Sequence, residues 1–284
     1  MLDATALSDF RACPEKYRNR HVLGLELATR DRGPLEAGDA LHQGVELWFN
    51  GDDLAMCQAR VAKVWGPDPL FPGPKPPKYT QQFLCDVMAG YAERWPREGD
   101  PWELEANESY FESPDLAGGW CGIKDRCLRH TDGSRYVSDL KTTRSYELAK
   151  NPLEHHRLST QFRGYVASEL AAGRQVDGVL VDQVFLDTRG HKIKPEHFQR
   201  IQIRFTTEQL DQWQRDVEAS KAYLQWLQEH RGSDVRWPQH EARCFDYFSW
   251  CPYRSRCVLD ETMVDSVDHL YKVNRWDPKA KGAG

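Results

Sequence analysis

The segment YVSDLKTT (136–143) carries a carboxylate and an ammonium group two positions apart on a stretch with strand character. Residues i and i+2 of a strand point to the same face, so Asp139 and Lys141 are expected to lie side by side. One interpretation is an ion pair on an exposed strand face, which is common and stabilises little. The other is a reactive site in which Lys141 orients or deprotonates a water molecule beside a metal-binding carboxylate.

A second carboxylate favours the reactive site. Asp125 lies in GIKDR (122–126), and thirteen residues separate it from Asp139. The intervening HTDGS (130–134) is typical of a hairpin turn, so two adjacent strands would present both carboxylates at one end. Close carboxylates repel each other, and such a pair therefore requires a cation.

Two further pairs of polar residues share helical faces. His42 and Glu46 are one turn apart, and so are Gln161 and Tyr165 in QFRGY. Arg157 lies another turn before Gln161, so this face offers amide, phenol and guanidinium groups that suit a phosphodiester backbone. The alternatives are an ordinary core or surface histidine and a solvated polar helix face.

The eight cysteines fall into two groups. Four are scattered among apolar residues and are expected to be buried: Cys57, Cys85, Cys121 and Cys127. The other four are Cys13, Cys244, Cys251 and Cys257. Three of this second group lie within fourteen residues, beside a proline and basic side chains. In a reducing compartment that arrangement favours metal binding or redox chemistry over buried free thiols.

Composition excludes several classes of protein. With 38 basic and 43 acidic residues the net charge is −5, which argues against a non-specific polyanion binder. Any nucleic-acid surface must therefore be local. A mean hydropathy of −0.72, with neither a long apolar run nor an apolar N-terminal signal region, predicts a soluble cytoplasmic protein with no membrane span.

Hydrophobic periodicity predicts an α/β chain. Helices are expected over 5–20, 35–50, about 80–96, 155–172 and about 207–231. Strands are expected over 107–112, 120–129, 135–141, 178–186 and 198–205. The segment 66–79 is a Pro/Gly loop, 243–258 is an irregular cysteine segment, and the last dozen residues have no apolar period. One α/β domain with helical flanks is the simplest arrangement.

These motifs, in this order, resemble the PD-(D/E)XK nuclease superfamily. The resemblance is specifically to the RecB-like branch, which includes CRISPR-associated iron–sulfur exonucleases and AddB-type nuclease domains. It extends from about residue 5 to 258 and implies a restriction-endonuclease-like mixed central sheet flanked by helices. The expected nuclease domain covers 1–260, with a helical segment (1–100), a sheet core (105–205), a C-terminal helix and cysteine segment (206–260) and a tail (261–284).

The resemblance also implies roles for individual residues. Ligands for Mg²⁺ or Mn²⁺ would be His42, Asp125, Asp139 and the backbone carbonyl of Leu140. Lys141 would be the catalytic lysine, and Gln161 with Tyr165 would match the Q-x-x-x-Y helix that contacts DNA. Glu46 and Glu108 would support the ligands. Basic residues that would supply a local DNA groove are Arg126, Arg144, Lys150, Arg157 and Arg163.

The cysteines match the same branch. In its iron–sulfur members one N-terminal and three C-terminal cysteines hold a 4Fe–4S cluster, as Cys13, Cys244, Cys251 and Cys257 would here. Six residues separate Cys244 from Cys251, instead of the two of a C-x-x-C step. A zinc site with four cysteine ligands is therefore the alternative.

Together these features predict a metal-dependent DNA nuclease. By resemblance alone it would be an exonuclease on single-stranded DNA, acting with proteins of recombination, repair, replication or CRISPR adaptation. The chain lacks a G-x-x-x-x-G-K-[ST] motif, so any helicase motor must be a separate chain. The alternative function is a non-catalytic DNA-binding or assembly subunit of a larger complex, and an oligomer is compatible with the sequence.

Overall fold

The computed structural model describes residues 1–28, 33–68, 78–107, 109–189, 192–246 and 249–275. The α-helices are α1 (Ala4–Ala12), α2 (Pro14–Tyr17), α3 (Pro34–Asn50), α4 (Leu54–Trp65), α5 (Gln81–Arg94), α6 (Tyr146–Lys150), α7 (Pro152–Arg157), α8 (Thr160–Ala171), α9 (Thr207–Arg231) and α10 (Arg254–Cys257). The strands are β1 (Leu25–Leu27), β2 (Trp102–Ala106), β3 (Ser109–Ser113), β4 (Trp120–Lys124), β5 (Arg126–His130), β6 (Arg135–Thr143), β7 (Gly178–Phe185), β8 (Phe198–Ile203), β9 (Phe245–Asp246), β10 (Ser249–Trp250) and β11 (Tyr271–Val273). A π-helix covers Arg18–Val22, and 3₁₀-helices cover Leu116–Gly118, Pro195–His197, Glu241–Arg243 and Glu261–Leu270.

The chain divides into two compact units. Unit 1 contains Met1–Asp31, Tyr110–Gly122 and Thr206–Gly284, and unit 2 contains Arg32–Ser109 and Ile123–Phe205. Unit 1 is therefore assembled from three separated segments of the chain. Within the described residues, no helix combines the length and the apolar character that a membrane span requires.

Unit 2 is built on a mixed sheet with the strand order β2-β5-β6-β7-β8. Strands β6 and β7 run parallel, and the other neighbours are antiparallel. Helices α3, α4 and α5 bury an apolar core that includes Leu140 of β6 and Val184 of β7. The predicted mixed central sheet with flanking helices is confirmed.

Strand β6 serves the apolar core and the polar site at once because neighbouring strand residues point to opposite faces. Leu140 packs into the core of α3–α5, and Gly38 of α3 approaches Thr142 so closely that an added Cβ would lie 3.1 Å from its Oγ1. Asp139 and Lys141 therefore belong to the other face of the sheet. That face carries the parallel neighbour Gln183, which is paired with Lys141 in register.

The turn between β5 and β6 is the predicted hairpin. The His130 N–H donates to the Ser134 carbonyl at 2.8 Å, and the Asp132 carboxylate accepts from the Ser134 N–H at 2.8 Å. Gly133 has a φ of 90°, a conformation that residues with a Cβ rarely adopt. These contacts fix the register of the two strands.

That register sets the two predicted carboxylates at neighbouring positions. Arg126 of β5 pairs with Ser138 of β6. Because the strands are antiparallel, Asp125, which precedes Arg126, and Asp139, which follows Ser138, come next on the two strands. The prediction of one continuous strand over 120–129 is wrong, because a bend at Asp125 separates β4 from β5. The bend turns the Asp125 carboxylate out of the regular alternation and towards β6.

Other predicted elements differ at their ends. The expected helix over 155–172 is divided, because α7 ends at Arg157 and the Ser159 hydroxyl caps α8 by accepting from the Phe162 N–H at 3.4 Å. The expected helix over 5–20 is interrupted where Cys13 is extended (φ −166°) before Pro14. Strand β2 precedes the expected strand at 107–112. Much of the predicted loop at 66–79 lies outside the described residues.

Unit 1 contains the long helix α9, which agrees with the predicted helix at 207–231. Trp213 of this helix packs edge-on against Trp120, with ring centroids 5.2 Å apart. Strand β1 pairs antiparallel with β11, with Leu25 opposite Val273. Part of the segment expected as a tail, 261–284, is therefore regular structure: a 3₁₀-helix and a strand.

Candidate active site

Two buried carboxylates form the centre of the site in unit 2. The Asp125 Oδ2 accepts a hydrogen bond from the Leu140 N–H at 3.0 Å, and Asp139 is 0% exposed. Burial raises the pKa of Asp139 to about 6, and the charge of Asp125 adds to this rise. Burial also raises the pKa of Asp125. The fold thus forces two like charges together, an arrangement that a cation stabilises.

The nearest cation is Lys141, whose Nζ is 2.6 Å from the Asp139 Oδ2. Burial lowers the pKa of the lysine, but the charges of Asp139 and Asp125 outweigh it, so the pKa is raised and the side chain stays protonated. At this distance the two side chains form a close ion pair, and a hydrogen bond between them contributes to the pKa shifts of both. Because 35% of the Lys141 side chain is exposed, a ligand can reach its ammonium group.

Helix α3 supplies an imidazole to the same cluster. The His42 Nδ1 lies 3.2 Å from the Asp125 Oδ2. Burial, and then the positive charge of Arg126, lower the pKa of His42 to about 4. The ring is therefore neutral near pH 7, the form that ligates metals. Glu46, one turn later, is close enough for its charge to raise the pKa values of both His42 and Asp125.

Helix α8 positions Asp139 through a chain of hydrogen bonds. The Gln161 Nε2 donates to the Asp139 Oδ1 at 3.2 Å and to the Tyr165 hydroxyl at 2.7 Å. The Tyr165 hydroxyl in turn donates to the Ile123 carbonyl at 2.6 Å. Tyr165 is only 3% exposed. Both side chains that were expected to contact DNA therefore bond inside the site.

Arg126 was expected in a DNA groove, but it is fully buried. Its guanidinium lies 4.8 Å from the Phe49 ring and its Nη2 is 3.5 Å from the Ser138 Oγ. The Nε and Nη1 atoms have no partner within the described residues. Its charge lowers the pKa of the neighbouring Asp125 and of His42. Strand alternation does not single it out, because Arg126, Cys127 and Leu128 are all buried.

The other basic residues that were predicted to line a DNA groove lie outside this cluster. Arg144 is exposed, and Arg157 is on α7, where its Nη1 lies 3.6 Å from the Glu154 Oε1. The Arg163 Nη2 donates to the Arg157 carbonyl at 3.1 Å. Lys150 lies over the Tyr146 ring.

The two other predicted supporting positions have different outcomes. The Leu140 N–H bonds to Asp125, and no contact of its carbonyl with a site side chain is seen among the described residues. Glu108 lies outside the described residues.

Comparison with known proteins identifies the family of this chain. The family model for the PD-(D/E)XK nuclease superfamily matches residues 2–258, nearly the whole sequence. The chain belongs to the PD-(D/E)XK nuclease superfamily. No curated protein matches it.

One solved structure shows the same fold at low identity. A crystal structure named "putative exonuclease", from Eubacterium rectale, has a TM-score of 0.50 at 13% identity and covers 80% of each chain. The crystal structure of SSO0001 has a TM-score of 0.31 at 15% identity, covering 73% of this chain and 79% of that one. The first similarity supports the fold, and the second is too weak to support an argument.

Nucleases of this superfamily generally use Mg²⁺ or Mn²⁺, and the residues present fit such an ion. Two carboxylates and a neutral imidazole are suitable ligands, and repulsion between the two buried carboxylates favours a cation beside them. Across the described ranges, no three His, Cys, Asp or Glu side chains are close enough to enclose an ion. Lys141 neutralises Asp139 in this arrangement.

In unit 1, the four cysteines singled out in the sequence surround one cavity, although among the described residues no three of them are close enough to enclose an ion. Cys13, Cys244, Cys251 and Cys257 line one small cavity and are all free thiols. The Cys251 N–H donates to the Cys244 carbonyl at 2.8 Å, across the β9–β10 hairpin. Burial, followed by the charges of Glu15 and the other thiols, raises the pKa of Cys257 to about 12. We call these four residues the cysteine centre.

Basic side chains surround the cysteine centre. Lys16, Arg243 and Arg254 line the same cavity. Of the four other cysteines, Cys57, Cys121 and Cys127 are buried and Cys85 is half-buried, in keeping with the expected core positions.

Proposed function

We propose that this superfamily member is a metal-dependent deoxyribonuclease of the RecB-like branch, an exonuclease acting on single-stranded DNA. The observation that carries the proposal is the convergence of Asp125, Asp139, His42 and Lys141 in one buried cluster of unit 2. The name of the similar E. rectale protein agrees with exonuclease activity. A role with recombination, repair, replication or CRISPR proteins follows from the resemblance alone.

Asp125, Asp139 and His42 would hold Mg²⁺ or Mn²⁺, with the Leu140 carbonyl as a further ligand. When bound, the ion would polarise the scissile phosphate and lower the pKa of a water molecule. The Leu140 N–H holds the Asp125 Oδ2 in place, and the charge of Arg126 favours the ionised carboxylate and the neutral imidazole. Burial still raises the pKa values of both carboxylates, so Arg126 offsets that rise only in part, whereas the imidazole is already in the neutral form that binds metal.

Lys141 would orient the attacking water and stabilise negative charge that develops on the phosphate oxygens. It is suited to this because it is protonated and partly exposed beside Asp139. Gln161 would act as a positioning residue, since it donates to the Asp139 Oδ1 while the Lys141 Nζ lies 2.6 Å from the Oδ2. Tyr165 would anchor Gln161 to the backbone of β4.

The exposed basic residues would hold the DNA strand outside this cluster. Arg144 and Lys150 follow β6 in the chain, and Arg157 is exposed at the end of α7. Charges on three short segments suit a backbone-tracking contact, which is strongly weakened by salt. The net charge of the whole chain is −5, which limits such contacts to this region.

We further propose that the cysteine centre holds a 4Fe–4S cluster with a structural role. Four thiols around one cavity match the number of ligands of a cluster, and the basic lining of Lys16, Arg243 and Arg254 suits its negative charge. Zinc is the alternative, because four thiolates also fit Zn²⁺. Either occupant would link residue 13 to the segment 244–257.

The nuclease proposal is tested with end-labelled single- and double-stranded DNA in Mn²⁺, Mg²⁺ or EDTA. Wild-type protein should cut in Mn²⁺ or Mg²⁺ and not in EDTA, and the position of the label gives the polarity. Lys141→Ala should lower the rate on the order of 100-fold or more, because a charge beside the reacting phosphate is lost. The matched control is Lys63→Ala, an exposed lysine on α4. DNA binding without cutting would instead support the assembly-subunit alternative.

The occupant of the cysteine centre is tested by iron, sulfide and zinc analysis of anaerobically purified protein. Brown protein with about four irons and four sulfides per chain is expected for a cluster. Cys251→Ser should lose the colour, whereas Cys85→Ser, at a half-buried thiol of unit 2, should keep it. Colourless protein with one zinc per chain would show that the centre holds zinc and not an iron–sulfur cluster.

A further inference from the structure

Unit 2 contains a second concave site beyond Lys141, with a cavity of about 570 Å³. It lies where β6 and β7 end and α6 begins, and its walls include Tyr146, Phe185 and Lys150. Cavities of this size accept small organic ligands. None of the proposed catalytic residues lines it, so it is distinct from the carboxylate cluster.

The strand register places this cavity next to the proposed site. Lys141 pairs with Gln183, and two residues later Thr143 pairs with Phe185. Residues two apart on a strand share a face, so Phe185 is on the same sheet face as Asp139 and Lys141. Two strand residues span about 7 Å, a short distance for an extended DNA strand to cross.

The walls combine aromatic rings with basic groups. The Tyr146 ring is 55% exposed, and its centroid lies 6.4 Å from that of Phe185. The Lys150 Nζ lies 4.9 Å from the Tyr146 ring centroid. Exposed aromatic rings next to lysines are the elements by which proteins stack bases and hold the adjoining phosphate.

The charges around the cavity fit a single phosphate. Lys150, Arg189 and Lys194 contribute three positive charges, and Asp187 and Glu196 contribute two negative charges. The Lys194 Nζ lies 3.7 Å from the Glu196 Oε1, so this pair largely cancels. The excess of one positive charge suits one monoanionic phosphodiester rather than a polyphosphate.

A buried imidazole on the wall offers a further polar contact. His197 is 7% exposed and its ring packs edge-on against Phe185, with centroids 5.2 Å apart. Its Nδ1 is buried without a hydrogen-bond partner among the described residues. This nitrogen is buried from solvent, so a base could bond to it only after the side chain shifts.

We propose that this cavity binds one nucleotide of a single-stranded DNA substrate, with the base on Tyr146 and Phe185 and its phosphate at Lys150. The inference rests on the proposed nuclease function and names a substrate subsite for it. The subsite recognises a base by stacking, so it favours single strands, whose bases are free, over duplex DNA.

The test compares binding of two fluorescent 15-nucleotide strands, oligo(dT) and a fully abasic strand, by anisotropy in EDTA. Tyr146→Ala should weaken binding of oligo(dT) by about fivefold or more. It should leave binding of the abasic strand unchanged, because the lost contact is to a base. The matched control is Tyr223→Ala, an aromatic ring of similar exposure (43%) on α9. An equal loss with the abasic strand, or in the control, would overturn the subsite.

The phosphate contact is tested by salt dependence. Lys150→Ala should reduce the slope of log K against log salt by about 0.7, the value for one phosphate on a single strand. Lys63→Ala should leave the slope unchanged.

Cleavage assays separate the two proposals. If the wild-type protein cuts DNA in Mn²⁺ and Tyr146→Ala binds oligo(dT) as tightly as the wild type, the subsite alone is overturned. A wild-type protein that cuts no DNA in any metal overturns the nuclease proposal and the subsite with it.

Discussion

The carboxylate cluster of unit 2 and the cysteine centre of unit 1 deal with charge in opposite ways. In unit 2 the fold buries Asp125 and Asp139 together and neutralises them with its own side chains, including Lys141. In unit 1 burial raises the pKa values of the Cys251 and Cys257 thiols, which favours their uncharged form. The first site therefore balances its charges with its own side chains, whereas these two thiols would lose their protons only on binding a metal.

Two buried carboxylates of unit 2 also differ in how the fold treats their charge. Glu169 is as buried as Asp139, yet its pKa is lowered to about 2, while that of Asp139 is raised to about 6. Burial raises the pKa of both groups. For Glu169, hydrogen bonds from Arg174 and Lys124 outweigh burial. Charged hydrogen-bond donors keep Glu169 ionised, as expected for a structural carboxylate. The charge of Asp125 instead raises the pKa of Asp139, as expected for a reactive one.

The largest expected effect is on stability and belongs to the cysteine centre. Cys257→Ser should remove one ligand and destabilise the protein by roughly 5 kcal/mol, lowering Tm by about 10 °C, because metal-binding energy there is folding energy. Calorimetry of the anaerobic protein measures it. Cys85→Ser should shift Tm far less, and equal shifts in both variants would remove the contrast between the centres.

The next effect is on activity and belongs to the carboxylate cluster. Asp139→Asn should lower cleavage on the order of 1000-fold, because an amide replaces the proposed metal ligand beside Lys141. Its Tm should fall little or rise, since a buried like-charge pair is removed. Cleavage rates and calorimetry check this. The control is Asp211→Asn, at an exposed carboxylate on α9, which should cut at the wild-type rate.

A smaller effect concerns pH. The folded pKa of Glu169 is about 2, below its ordinary value of 4.5, so the folded state binds fewer protons than the unfolded state. The stabilisation is then present above pH 4.5 and is lost as the pH falls towards 2. Glu169→Gln should destabilise by about 2 kcal/mol at pH 7 and by much less near pH 2. Denaturant unfolding at several pH values measures it.

The matched control for Glu169 is Glu154→Gln, whose side chain is 74% exposed. Exposed ion pairs contribute little, so its stability should follow the wild-type pH curve. A parallel loss at every pH in Glu169→Gln would show that packing, and not charge, stabilises this position.

The smallest effect tests how Asp139 is positioned. Gln161→Ala should lower the rate roughly tenfold and raise the Mn²⁺ concentration needed for half-maximal activity, because the Oδ1 of Asp139 loses its donor. A metal titration of the cleavage rate measures both. The control is Gln82→Ala on the exposed face of α5. A lower rate with an unchanged metal requirement would contradict a positioning role.

Local signals in the sequence predicted the parts of the site that local structure determines. The HTDGS turn sets the register, and that register places Asp125 opposite Asp139. The spacing of Gln161 and Tyr165 predicted that they share a helix face, and they are hydrogen-bonded to each other. Cys13 and the C-terminal cysteines were grouped correctly around one cavity.

Other features depend on tertiary contacts that no local pattern reveals. Arg126 looked like a surface charge, because arginine is rarely buried, yet the sheet encloses it. The pairing of Leu25 with Val273 joins residues far apart in the chain, so neither strand was predicted. The bend at Asp125 and the cap at Ser159 interrupt segments whose hydrophobic period continues through them.

The discontinuous course of unit 1 has a consequence for synthesis. All residues of unit 2 have been translated once Phe205 leaves the ribosome, whereas unit 1 still awaits the segment from Thr206 onwards. Because domains fold as their residues emerge, the carboxylate cluster can form on the nascent chain. The cysteine centre cannot form until Cys257 is available. A chain that stops before Cys257 would therefore contain the residues of the carboxylate cluster but lack part of the cysteine centre.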